Sequence, residues 1–342
     1  MDMPGAIDRV IGQKNLNRDE MLAVMRLIMK GEATDAQIGG FLVGLRSKGE
    51  TVDEIVAAAT VMRELATPVN VDITNLVDTC GTGVSGTNKF NVSTASAFVA
   101  AAAGARVAKH GNRGASSKSG SADVLEAAGA SIMLGPDEVA RCIETTGVGF
   151  LFALNHHSAM RHAIGPRREM TVRTVFNLLG PLTNPAGARR QLLGVYARKW
   201  VRPIAEVLQK LGSEHVLVVH SEDGLDEISI SAATHVAELR DEEIQEYDID
   251  PEDFGLRKSP LEELIIENST ESLALVKKAL LGIHEGASNI VVLNAGAAIY
   301  TAGQCHDLTS GVEMAQDAIG SGLADEKMKD FAAFTSQIKE TS

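Results

Sequence analysis

The chain has 342 residues, 44% of them hydrophobic and 23% charged, which is enough to bury a sizeable core without disulfides or structural metals. A net charge of −13 and an aromatic content of only 4% argue against a nucleic-acid partner and against an anionic membrane surface. Cys80, Cys142 and Cys305 lie far apart and form no CxxC pair, which argues against a disulfide scaffold or a zinc site and fits a reducing, cytoplasmic setting.

The first residues carry no apolar leader-like stretch, so no export is expected. The longest small-apolar run, residues 95–105, is about half of what a bilayer crossing needs. Up to residue 67 the pattern predicts helices only. Asn17 to Glu20 opens one, with Met21, Leu22, Met25, Ile28 and Met29 at helical spacing and Gly31 at its end. Thr34 with Gln37, and Thr51 with Glu54, have the spacing of two further capping boxes. These three amphipathic helices form a small module whose apolar faces either pack on the next domain or dimerise.

From about Asn70 short apolar runs alternate with helical stretches. Residues 76–80, 106–109, 131–134, 148–152, 192–196 and 216–220 read as strands; residues 93–103, 136–146 and 201–211 read as helices. That alternation predicts an α/β domain with a mainly parallel sheet, whose ligands bind beyond the carboxyl ends of the strands. The loops that follow the strands are therefore where chemistry is expected.

The first two such loops are glycine-rich: Cys80 to Asn88 and Lys109 to Ser121. Between Asp78 and Asp123 lie 44 residues without a single Asp or Glu, where simple proportion predicts about six. The same stretch carries Lys89, Arg106, Lys109, Arg113 and Lys118. Glycines that expose backbone N–H groups, the hydroxyls of Ser93 and Thr94 at a helix start, and local positive charge together predict an anion site. Gly81-x-Gly83-x-x-Gly86 matches a dinucleotide fingerprint, but Lys109-His110 stands where a ribose-binding acid would be needed. Gly86 is followed by Thr87-Asn88, so a mononucleotide P-loop fails too. A pyrophosphate on a smaller molecule remains.

After the run ending at His220, Glu222, Asp223, Asp226 and Glu227 place four carboxylates in six residues, the kind of oxygen donors that suit Mg²⁺. Asp241-Glu242-Glu243 reads as the acidic first turn of a helix. The segment 155–184 holds His156, His157, Arg161, His162, Arg167, Arg168 and Arg173, and an arginine there could clamp a carboxylate.

In this order, Gly81-Thr82-Gly83, Asn91-Val92-Ser93-Thr94, Lys109-His110-Gly111-Asn112-Arg113 and Asp226-Glu227, with FNLLGPLTNP at residues 176–185, resemble the anthranilate phosphoribosyltransferase family over nearly the whole chain. The resemblance implies a helical domain (residues 1–69, joined by a helical segment near 165–185) on an α/β domain (residues 70–342). It implies a homodimer formed through the helical part. It also implies transfer of phosphoribosyl from phosphoribosyl pyrophosphate to the amine of anthranilate, a step of tryptophan synthesis. By matching position, Gly81, Thr82, Gly83, Asn91, Ser93, Thr94, Lys109 and Ser121 would hold phosphoribosyl pyrophosphate. Ser93, Asp226 and Glu227 would hold Mg²⁺. His110, Asn112, His157, Pro181 and Arg167 would line the anthranilate path, with Arg167 (or its neighbour Arg168) on the carboxylate. The family usually has Gly-Asp where this chain has Val84 and Ser85, which removes one carboxylate from the first loop. Two alternatives share the fold: a pyrimidine nucleoside phosphorylase, and a paralogue that binds nucleic acid.

Overall fold

The computed structural model describes residues 1–83, 87–114 and 117–341, with side chains through residue 338. Four helices open the chain: α1 (Met3–Ile11), α2 (Arg18–Met29), α3 (Asp35–Lys48) and α4 (Val52–Glu64). The last three carry the expected capping boxes, in which Asn17, Thr34 and Thr51 each accept an N–H that would otherwise be orphaned. Helix α1 is an addition to the expected three. It is capped by Asp2, which accepts the Gly5 N–H, and has Pro4 in its first turn. Buried Glu54 ties the bundle together by accepting the Leu16 N–H at 2.9 Å and pairing with Lys48 at 2.9 Å.

The remainder runs β1 (Leu76–Gly81), α5 (Val92–Ala102), β2 (Arg106–Gly111), α6 (Ser121–Ala127), α7 (Pro136–Thr146), β3 (Val148–Phe152), α8 (Ala153–His156), α9 (Arg161–Met170), α10 (Phe176–Leu179), β4 (Arg190–Gly194), α11 (Val201–Lys210), β5 (His215–Ser221), β6 (Thr234–Arg240), β7 (Glu243–Ile249), α12 (Ser269–Leu280), α13 (Glu285–Thr301), α14 (Leu308–Gly320) and α15 (Leu323–Thr341). The strands form one sheet in the order β3-β2-β1-β4-β5-β6-β7. The pairings from β3 through β5 are parallel, and β6 and β7 are added antiparallel. The chain first steps from β1 through β2 to β3 and then returns to the other side of β1 with β4. The crevice beyond the carboxyl end of β1 is thus the switch point where such sheets bind ligands.

Alternate residues of the strands feed two cores. Leu192, Leu217 and Val219 face α5 and the C-terminal helices. Leu193, Val195, Val216 and Val218 face α11 and the N-terminal helices. Helix α9 packs on α2 and α3, and its Ala163, with Phe176 and Leu179 of α10, joins the core of the N-terminal helices.

Three expectations are corrected. Residues 131–134 form no strand: the Ser131 N–H donates to Thr335 Oγ1 at 3.1 Å, so its backbone is satisfied by α15 rather than by a ladder. Asp241-Glu242-Glu243 starts no helix. Asp241 and Glu242 have φ of 52° and 64° and form the two-residue turn between β6 and β7. The acid-free stretch is not acid-free in space. Lys89 pairs with Asp226 and Glu227, Arg106 with Asp72, Arg113 with Asp123 and Glu126, and Lys118 with Glu267. Lys109 is the cation of that stretch without a carboxylate within salt-bridge distance among the described residues.

Candidate active site

The site grows from the carboxyl ends of β1, β2 and β5. Lys109, on β2, is buried, and its ammonium donates to the Thr79 carbonyl at 2.5 Å and to Ser93 Oγ at 3.2 Å. Burial pulls its pKa down, while the nearby carboxylate of Asp78 opposes this. Asp78 is itself fully buried, which raises its pKa; its partners include the His110 N–H, accepted at 3.0 Å, and the Gln191 amide at 3.3 Å. Sequence reasoning missed Asp78 as a site residue. Its signal was a lone acid inside an apolar strand, just before the glycine loop.

Ser93 and Thr94 lie in the first turn of α5, and Thr94 Oγ1 is buried without a partner among the described residues. No side chain caps α5. Asn91 stands at the cap position, but its amide donates to the Ser119 carbonyl and its Oδ1 accepts from the Ser119 and Ser272 hydroxyls. The positive end of an eleven-residue helix therefore points at the loop uncapped, next to Lys109. Ser121 begins α6, packed so closely on Gly111 that a Cβ there would meet Ser121 Cβ at 3.0 Å. Gly114 and Gly120 close the second loop by donating to one oxygen of Asp123, at 2.9 and 2.8 Å.

The acidic turn after β5 divides its work. Asp223 is enclosed by the hydroxyls of Ser221, Ser229 and Ser231 and shapes the turn. Asp226 reaches the glycine loop, where its Oδ2 accepts the Gly83 N–H at 2.8 Å. Thr82 is tied to the next strand by donating its N–H to the Gly194 carbonyl at 2.8 Å. The contact of the turn is tight: a Cβ on Gly81 would sit 2.6 Å from Asp226 Oδ2, and one on Gly194 would sit 1.6 Å from the Asp226 carbonyl oxygen. Gly194, also missed from sequence, is thus required for the turn to dock on the sheet. Burial would raise the pKa of Asp226, but the Lys89 ammonium and the Gly83 N–H outweigh it and hold the carboxyl below its usual range. Behind the pair lies a cavity of about 10 Å³, lined by Thr79, Ser93, Asp226 and Glu227 among others. It is large enough for one water or small ion.

A second group lies beside β2 and β3. The His110 and His157 rings are 5.1 Å apart. Pro181 sits in the turn after α10, its carbonyl accepting from Gln191 at 2.8 Å. Burial, then His157, His156 and Lys109, hold His110 well below its usual pKa; burial and His156 bring His157 to about 4. Both rings are neutral at pH 7. Asn112 is exposed after β2 and its Oδ1 accepts the Arg113 N–H. Arg167 lies on α9, half-buried, its guanidinium 5.2 Å from the centre of the Phe176 ring and without a carboxylate partner among the described residues. Arg168 is exposed. Val84 and Ser85 lie outside the described residues.

The histidines have a consequence for stability. Their pKa values are depressed on folding, so the unfolded chain binds protons that the native one refuses once the pH falls below about 6.5. Stability is full above that value and declines toward pH 4. His157 alone contributes on the order of 3 kcal/mol over this window. The urea midpoint is expected to be lower at pH 5 than at pH 7. An unchanged midpoint would mean that these rings take up protons in the native state.

The helical bundle and the α/β sheet correspond to two domain families of glycosyl transferases. Residues 4–66 match the family model described as glycosyl transferase family, helical bundle domain, and residues 73–325 match glycosyl transferase family, a/b domain. An anthranilate phosphoribosyltransferase from Cellvibrio japonicus is 58% identical over 99% of this chain and 100% of its own length. The crystal structure of one from Thermus thermophilus matches with a TM-score of 0.91 at 44% identity, over 96% of this chain and 99% of that one. One from Saccharomyces cerevisiae in complex with PRPP and Mg has a TM-score of 0.89 at 23% identity, over 98% of each chain, a likeness of fold. The chain belongs to the anthranilate phosphoribosyltransferase family.

No helix among the described residues is long and apolar enough to cross a membrane.

Proposed function

We propose that this chain transfers phosphoribosyl from phosphoribosyl pyrophosphate to the amine of anthranilate, releasing pyrophosphate, in tryptophan biosynthesis. The observation that carries the reading is the convergence of Lys109, the uncapped start of α5 and the Asp226-Glu227 pair at one end of the sheet, in a chain 58% identical to a curated anthranilate phosphoribosyltransferase. The phosphorylase and nucleic-acid alternatives have no such support.

Transfer joins the amine nitrogen to ribose carbon 1 and breaks the bond from that carbon to pyrophosphate. Positive charge grows on the sugar and negative charge on the leaving group. Lys109 and the start of α5, with the Ser93 N–H, face the leaving charge and are organised before substrate arrives, so little reorganisation is required. Gly81, Thr82, Gly83, Asn91 and Ser121 shape the cradle around it. Asp226, Glu227 and Ser93 supply the hard oxygen donors around a water-sized cavity that fit Mg²⁺, which when bound would neutralise pyrophosphate charge. An aromatic amine is unprotonated at neutral pH, so no strong base is needed. Neutral His110 and His157, with Asn112 and Pro181, orient the acceptor, and holding its nitrogen about 3 to 3.5 Å from carbon 1 supplies much of the remaining rate.

Arg167 is assigned the anthranilate carboxylate. Arg167→Ala is expected to raise KM for anthranilate by about 10- to 100-fold, the worth of a charged hydrogen bond, with a smaller change in kcat. Unchanged anthranilate kinetics would remove Arg167 from the site.

The homodimer is assigned to the outer face of α1 and α3. Ile11 and Val43 are exposed there beside a groove of about 580 Å³ lined by Val10, Gly40, Gly44 and Met170. Light scattering is expected to give the mass of two chains, and Val43→Asp to halve it. A monomeric parent would contradict the assignment.

The function itself is tested by mixing protein, anthranilate, phosphoribosyl pyrophosphate and Mg²⁺ and omitting each in turn. Anthranilate loss that needs all of them, with one pyrophosphate released per anthranilate, is expected. Phosphate-dependent cleavage of uridine or thymidine instead would overturn the reading.

A further inference from the structure

Lys89 is the one cation of the glycine-rich region that reaches the acidic turn among the described residues. Its ammonium lies 3.0 Å from Asp226 Oδ1 and 2.9 Å from Glu227 Oε2, and all three side chains are at least 88% buried. Its backbone is pinned. Lys89 bridges Ile265, the Phe90 N–H donates to the Leu264 carbonyl at 3.0 Å, and the Ile266 N–H donates to the Asn88 carbonyl at 2.8 Å. The stem therefore starts from a fixed point and the ammonium is delivered to the carboxylates by the fold. The small cavity lined by Ser93, Asp226 and Glu227 adjoins the same carboxylates.

Two carboxylates carry a charge of −2, and Lys89 reduces this to −1. A divalent ion approaching the free protein meets half the attraction, and meets an ammonium already hydrogen-bonded to Asp226 Oδ1 and paired with Glu227 Oε2. A metal that arrives with a pyrophosphate brings its own compensating negative charge, so the ammonium can be released from the carboxylates toward solvent.

We propose that Lys89 is a built-in counter-ion of the Asp226-Glu227 pair, which keeps the free protein from taking up a divalent cation and makes metal entry depend on the pyrophosphate of the substrate. This deepens the functional reading by adding a residue that sets the metal affinity of the same site. It rests on that reading for the identity of the pyrophosphate, but not for the competition between ammonium and metal.

The test needs no turnover. Mn²⁺ binding to the substrate-free protein is followed by electron paramagnetic resonance for the parent, Lys89→Met, Lys89→Gln and Lys89→Arg. The parent and Lys89→Arg are expected to bind weakly, and Lys89→Met and Lys89→Gln at least about tenfold more tightly. Equal affinities in all four proteins would overturn the proposal, whatever the anthranilate assay shows. The parent protein gives a second measurement should the neutral variants not fold. Acetylation of Lys89, read by peptide mass spectrometry, is expected to be slow in the free protein and several-fold faster with Mg²⁺ and inorganic pyrophosphate together. It is expected to be unchanged by Mg²⁺ alone. Acceleration by Mg²⁺ alone, or none with both, would overturn it.

Discussion

Lys109→Met is expected to lower kcat/KM for phosphoribosyl pyrophosphate by about 10²- to 10³-fold, the usual loss when one preorganised donor to a developing anion is removed. Lys109 is poised rather than neutralised: its donors go to the Thr79 carbonyl and the Ser93 hydroxyl, and no carboxylate is within salt-bridge distance among the described residues. Its remaining charge is available to an incoming anion. Methionine keeps the length and apolar stem but removes that charge. It also strands buried Asp78, whose carboxyl already has its pKa raised by burial and would be pushed further up without the lysine. A drop in melting temperature is therefore expected alongside the kinetic loss. The kinetic effect is separated from it by assaying well below the melting range. A well-folded variant with kcat/KM within about threefold of the parent would show that Lys109 is a structural lysine.

Asp226→Asn is expected to shift the half-saturating Mg²⁺ concentration upward by at least about tenfold at saturating substrate, and to lower kcat as well. Asparagine keeps an oxygen able to accept the Gly83 N–H, so the glycine loop retains its anchor. What is lost is the charge that holds Lys89 and attracts the metal. Superimposable Mg²⁺ titrations of the two proteins would place the metal elsewhere.

Much of this architecture is legible because it is written in local spacing. The caps at Asn17, Thr34 and Thr51 announce α2 to α4, and apolar runs between helical stretches announce β1 to β5. Helix α1 escapes because it is short and begins at the chain start, where its Asp2 cap and Pro4 give little periodic context. Residues 131–134 have the apolar look of a strand, but the Ser131 N–H goes to Thr335 of α15 and the Leu134 carbonyl accepts from the Asn155 amide. The acidic residues at 241–243 look like a helix start because Asp and Glu favour first turns, yet the chain there adopts a left-handed hairpin turn.

The site is less legible for a related reason. Pairings such as Lys89 with Asp226 span 137 positions, so a stretch without acids in sequence reads as an uncompensated positive field. The fold supplies the acids from α6 and from loops outside the stretch. Of the five cations in that stretch, only Lys109, which a β-strand carries into the interior, has no carboxylate within salt-bridge distance among the described residues. The division of the acidic turn is equally hidden. Asp223 serves its own loop, while Asp226 and Glu227 reach the glycine-rich region through Gly83 and Lys89, and nothing in their spacing separates these tasks.

In the proposed reaction, the carboxyl ends of β1, β2 and β5 hold the pyrophosphate of the donor. A crystal structure of the protein with phosphoribosyl pyrophosphate and Mg²⁺ tests it most directly. Pyrophosphate oxygens are expected within hydrogen-bond distance, about 3 Å, of Lys109 and the first turn of α5, with Lys89 drawn away from Asp226 and Glu227. Pyrophosphate bound elsewhere, with Lys109 still donating only to Thr79 and Ser93, would contradict it.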